Sequence, residues 1–96
     1  MGTFLFFGDY SQDSIKHISE RRTDKAIELI EKFGGKLVAG YALLGEKDLV
    51  LIVEFPGPGK NEAIKTSIAL SKLLGVGFTT SPAVDFETFD KLISEL

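Results

Sequence analysis

Chemistry in this sequence rests on few side chains: Tyr10, His17, Tyr41 and Glu54, with Asp48 and Thr80 near them along the chain. His17 is the only histidine, and an imidazole changes charge near neutral pH, so it is the natural candidate base. With no cysteine and no second histidine, it has no partners for a typical transition-metal site. Its two readings are a solvent-facing or capping residue and a base in a cleft between subunits. Tyr10, Tyr41 and Glu54 sit on or beside apolar runs and are the other candidate ligand contacts. A carboxylate such as Glu54, if buried, needs partners or a raised pKa. These groups serve either as hydrogen bonds across an interface or as contacts to a bound molecule.

A second motif with potential chemistry is Gly57-Pro58-Gly59-Lys60, which precedes a helical pattern. The start of a helix offers free backbone N–H groups to an anion. A phosphate-binding loop of the Walker type also needs an earlier glycine and a Ser or Thr after the lysine. The corresponding residues are Glu54 and Asn61, so that motif fails and a plain strand-to-helix turn remains. No cofactor and no metal are expected.

Composition narrows the partners. Eleven Lys and Arg stand against 14 Asp and Glu, a net charge of −3. Nucleic-acid binding needs a basic stripe to neutralise phosphates, and Arg21-Arg22 is flanked by Glu20 and Asp24. No disulfide or thiolate chemistry is available without cysteine. The run Phe4-Leu5-Phe6-Phe7 lacks a basic flank and a small-residue cleavage site, so it does not read as a signal peptide. No stretch approaches the roughly 20 apolar residues that span a bilayer. A cytoplasmic location with no membrane partner is the expectation.

The elements that must position these groups follow from periodicity and punctuation. Residues 3–10 read as a strand. Residues 11–33 read as helical but uneven: Ser11 or Asp13 caps the start, Ile15 and Ile18 give one apolar turn, and the polar run 19–25 suggests a kink or break. Periodicity resumes at Ala26, Ile27, Ile30 and Phe33, and Gly34-Gly35 stops the helix. Strands at 36–44 and 48–55 form a hairpin around Gly45-Glu46-Lys47. A helix over 61–74 follows, with Ile64, Ile68 and residues 70–74 as its apolar side, closed by Gly75. Residues 76–84, interrupted by Pro82, suit an edge strand. Asp85 caps a last helix with Phe86, Phe89, Leu92, Ile93 and Leu96 on one stripe. The order β-α-β-β-α-β-α predicts one α+β domain over residues 1–96, a ferredoxin-like sandwich with an extra C-terminal helix.

Pairing Gly45 with Asp48 across the turn puts Val38, Gly40, Ala42 and Leu44 on one face with Phe55, Val53, Leu51 and Leu49. That face is all apolar with small residues on one strand, as close helix packing requires. The other face carries Tyr41 beside Ile52, Leu43 beside Val50, and Ala39 beside Glu54. It too is mostly apolar, whereas a sheet with helices on one side reads polar on the other. The last helix, a second subunit or both must cover it. On this register Tyr41 and Glu54 form a diagonal pair, either a proton-handling site or an interface hydrogen bond, with Tyr10 available from the first strand.

Gly34-Gly35-Lys36-Leu37, the stretch 41–48 and Leu49-Val50-Leu51-Ile52-Val53-Glu54 resemble the GYD family of small, uncharacterised bacterial and archaeal proteins. The resemblance extends to residues 6–10, Thr79-Thr80 and residues 86–89. Lys47 stands where the family's eponymous Tyr is found, and Val76-Gly77-Phe78 offers no counterpart to an Arg before the threonines. The resemblance implies a ferredoxin-like subunit related to dimeric α/β-barrel proteins and brings no established activity. The expected function is a homo-oligomer that binds a small apolar or aromatic molecule or a protein partner. The alternatives are a cofactor-independent monooxygenase or isomerase of the dimeric α/β-barrel type, and a purely structural adaptor.

Overall fold

A computed structural model describes residues 1–17 and 19–96 of the chain. The elements run β1 (Gly2–Tyr10), α1 (Gln12–Lys16), α2 (Glu20–Lys32), β2 (Lys36–Ala42), β3 (Leu49–Phe55), α3 (Lys60–Leu74), β4 (Val76–Ala83) and α4 (Phe86–Ser94). The strands form one antiparallel sheet in the order β2-β3-β1-β4, the arrangement of the ferredoxin-like fold. Pro82 lies on an edge strand, where its missing N–H costs no ladder bond.

Between β1 and β2 the helical segment is two helices. Ser11 caps α1 in a reciprocal box with Ser14, the Ser14 N–H bonding Ser11 Oγ at 3.0 Å and the Ser11 N–H bonding Ser14 Oγ at 2.8 Å. No break lies across 20–25, because Ser19 caps α2 through the Arg22 N–H and the helix runs unbroken from Glu20. The polar run is therefore the first turns of α2. Of the expected apolar turn, Ile15 is exposed and Ile18 lies outside the described residues. At the other end of α2, Gly34 adopts φ +85°, and the N–H groups of Gly34 and Gly35 return to the carbonyls of Glu31 and Ile30 at 2.9 Å each. This is the Schellman arrangement that glycine permits.

Helices α2 and α3 cover one face of the sheet. The core gathers Phe4 and Phe6 of β1, Val53 and Phe55 of β3, Ala26 and Ile30 of α2, and Ala63 and Leu70 of α3. Phe4 meets Phe55 edge-on at 6.0 Å, and Phe6 meets Phe78 at 6.2 Å. Each fully buried Phe side chain contributes about 1.5–3 kcal/mol of burial. The buried stripe of α3 is Ala63, Thr66 and Leu70, and Ile64 and Ile68 are exposed, contrary to the apolar side expected. Thr66 is tolerated there because its hydroxyl donates to the Glu62 carbonyl at 2.7 Å.

The hairpin register differs from expectation by two residues. Gly40 pairs with Leu51, Tyr41 with Val50 and Ala42 with Leu49, and a bulge intervenes between Leu37 and Ala39. The connection spans residues 43–48, closed by the Leu43 N–H on the Asp48 carbonyl at 2.8 Å, and Leu44 is fully exposed. A slip of two preserves side-chain faces, since their period is two. Gly40 and Ala42 thus remain on the helix side, as expected. The bulge breaks that parity, so Leu37 packs on the core and Val38 is half exposed.

The face away from the helices carries Leu5 and Phe7 of β1, Val50, Ile52 and Glu54 of β3, Ala39 and Tyr41 of β2, and Thr79, Ser81 and Ala83 of β4. Helix α4 does not bury its apolar stripe: Phe89, Leu92 and Ile93 are each about half exposed, and no residue of the helix is buried.

Candidate functional site

The first turns of α2 and the ends of the strands build a cleft of about 360 Å³ on the helix side. Its inner wall is Ala26 and Ile30 of α2, Leu37, Leu49 and Leu51 of the sheet, and Leu74 at the end of α3. Its outer residues are polar: Tyr10, Ser19, Arg22, Thr23 and Tyr41. Small residues on both sides leave the space unfilled. Gly40 and Ala42 face α2 from the edge strand, and Ala26 faces them from the helix. Small residues on a strand permit close helix packing, but at this end of the sheet they leave a cleft instead.

Arg22 is the charged residue of the cleft lining, and its guanidinium is fixed. One terminal nitrogen donates to the Ser14 carbonyl at 2.7 Å, and the other donates to the Leu74 carbonyl. Those bonds join α1, α2 and the last turn of α3. The same arginine borders a second groove of about 350 Å³ with Asp13, His17, Lys25 and Lys72. His17 is exposed there, and its Nδ1 donates to the Asp13 carbonyl at 2.9 Å, which assigns the Nδ1 proton because a carbonyl only accepts.

The four sequence candidates therefore fall in three places. Tyr10 and Tyr41 border one cleft, Tyr41 being 60% exposed on the edge strand. His17 lies in the neighbouring groove. Glu54 is at the far end of the open face, with Thr3 and Lys36 as cross-strand partners. The diagonal pairing of Tyr41 with Glu54 does not form, because Tyr41 is opposite Val50. Arg22, Gly40 and Thr23 were not singled out from sequence. The available signal was the spacing Arg22, Ala26, Ile30, which places a charge and two buried apolar residues on one helix face.

A cluster of short contacts at the end of β1 fixes the rim. Asp48 Oδ2 accepts the Tyr10 N–H at 2.8 Å, and the Asp48 N–H bonds the Gly8 carbonyl at 2.9 Å. Lys47, at the position of the family's eponymous tyrosine, pairs with Asp9 at 2.9 Å. The Asp9 hydrogen bond raises the Lys47 pKa above its ordinary value, and burial opposes it. In the Gly57–Lys60 turn Gly59 alone is buried: it has φ +74°, and a Cβ there would meet Phe55 Cβ at 2.8 Å. Thr80 bonds Ser67 at 3.0 Å on the helix side. Among the described residues, no group of three His, Cys, Asp or Glu is placed to hold a metal, and no helix is long and apolar enough to cross a membrane.

Comparison with protein families decides the kinship: the GYD domain model matches residues 4–93. The chain belongs to the GYD family. No curated protein matches this GYD chain. Among solved structures, it is similar to the Mycobacterium tuberculosis leucine response regulatory protein (LrpA), with TM-score 0.56 and 11% identity. The match covers 88% of this chain and 51% of that one, so the GYD chain spans about half the regulator's length. At that identity the likeness is one of fold.

Proposed function

We propose that this GYD protein is a single-domain, cytoplasmic binding module that self-associates through the open face of its sheet and holds a small molecule or protein partner. One observation carries the reading: the face away from the helices is apolar across its central strands. Leu5, Phe7, Val50 and Ile52 occupy its middle, while Thr3, Lys36 and Glu54 gather at one end. A soluble sheet with a solvated face alternates apolar with polar residues, and these central strands do not. Val50 is buried among its neighbours and Leu5, Phe7 and Ile52 are part-exposed, and a contiguous apolar patch on a sheet face supports an association site.

No residue of the chain's own last helix is buried, and its apolar stripe stays half exposed. A second copy offers both the same sheet face and a second α4 stripe. An isologous pair would therefore satisfy two unpartnered surfaces with one symmetry operation. The net charge of −3 speaks against nucleic acid as the partner.

The test compares Ile52→Lys, on the open face, with Ile64→Lys, exposed on the helix side. Size-exclusion chromatography should give a smaller species for Ile52→Lys and leave Ile64→Lys unchanged. Equal elution of both variants with the wild type, each folded by circular dichroism, would contradict the proposal.

A further inference from the structure

The cleft between α2 and β2 lies on the opposite side of the sheet from the self-association face, so it is available whether or not the subunits pair. We propose that it binds a small amphipathic carboxylate, with the apolar body against Leu37, Leu51 and Leu74 and the carboxylate on Arg22. This goes beyond self-association by naming a site and a ligand class.

Three observations carry it. The cleft, at about 360 Å³, lies at the lower end of the roughly 300–1,000 Å³ of small-molecule sites. Its polarity is ordered, because Arg22, Ala26 and Ile30 follow one another at every fourth residue of α2. The buried end at Ile30 is fully apolar, and the outer end is a cation. Such a gradient matches a molecule with an apolar body and one anionic head, and it disfavours a molecule charged at both ends.

Arg22 is also preorganised. Two of its five N–H donors are held by the Ser14 and Leu74 carbonyls, so the guanidinium bordering the cleft is already positioned. The cleft lining contains no Asp or Glu, and among the described residues the ion pair formed is Lys47 with Asp9. A carboxylate is the planar acceptor that a guanidinium recognises most specifically. Ser19, Thr23 and Tyr10 add polar groups to the same rim.

The space itself depends on Gly40. A Cβ there would sit 3.3 Å from Leu51 Cδ2 and extend into the cleft. Thr23, exposed on α2 at the outer end, gives a second way to obstruct it without touching the core.

The experiment titrates the full chain at neutral pH with 3-phenylpropionate and, separately, with neutral 3-phenyl-1-propanol, following backbone amides by NMR. The expected result is saturable shifts centred on Arg22, Ala26, Gly40 and Leu51, with the alcohol at least tenfold weaker. Gly40→Val and Thr23→Trp should each weaken 3-phenylpropionate tenfold or more while the circular dichroism spectrum is kept. Thr23→Trp keeps the test decisive if Gly40→Val does not fold. No saturable shift, shifts centred on Phe7 and Ile52, equal affinity for acid and alcohol, or unchanged affinity in the folded variants would each overturn the proposal.

Discussion

The Asp48 carboxylate accepts the backbone N–H of Tyr10 at 2.8 Å, fastening the end of the β2–β3 connection to the end of β1. Two further contacts reinforce the junction, the Asp48 N–H on the Gly8 carbonyl and the Lys47–Asp9 pair. Together they set where Tyr10 enters the cleft rim.

Removing the Asp48 carboxylate leaves a partly buried N–H without its acceptor, which costs about 1–3 kcal/mol. Asp48→Ala should therefore lower stability by about that amount in urea unfolding. Asp48→Asn retains an acceptor oxygen and should lose less. Equal losses in the two variants would show that the Tyr10 contact is not the cause.

Arg22 supports three helices from one side chain, and its fork geometry is what reaches two carbonyls at once. A lysine carries the same charge without the fork. Arg22→Lys should destabilise the fold by roughly 2 kcal/mol, with the loss seen in denaturant midpoint at unchanged m-value. Faster amide exchange in α1 and the last turn of α3 should accompany it.

Helix α4 should respond to acid. The Thr88 hydrogen bonds, the N–H bond to Asp85 Oδ1 at 2.7 Å among them, hold the Asp85 carboxyl below its ordinary pKa. A carboxyl depressed in the folded state stabilises it above the ordinary Asp pKa near ~3.9, and that contribution is lost as pH falls through the lower folded value. Amide protection in α4 should therefore drop on acidification through that window. Asp85→Asn, which caps without titrating, should remove the Asp85-linked part of that drop. Lys47 has the opposite sign: its raised pKa stabilises the fold below the ordinary lysine value, and the contribution fades as pH rises through the raised one.

The fold was legible where punctuation was strong. Gly34-Gly35, Gly75 and Asp85 end or start their helices as their types dictate, and the strand and helix order follows from them. The hairpin was harder, because residues 43–48 contain no two-residue turn signal and a bulge at Val38 has no mark in composition. The faces of Gly40, Tyr41, Val50 and Ile52 still came out right, since a two-residue slip leaves parity intact. The site was less legible. Tyr10 and Tyr41 meet one cleft only because β1 and β2 flank β3, and Arg22 read as a locally cancelled charge until α2 placed it between two carbonyls. Residues far apart in sequence carry no record of that meeting.

Sedimentation equilibrium of the wild-type chain at micromolar concentration tests the central claim most directly. Pairing through the open sheet face predicts a mass of at least twice the 10.5 kDa chain, falling toward one chain in Ile52→Lys. A wild-type protein that sediments as a 10.5 kDa monomer across that range would contradict it.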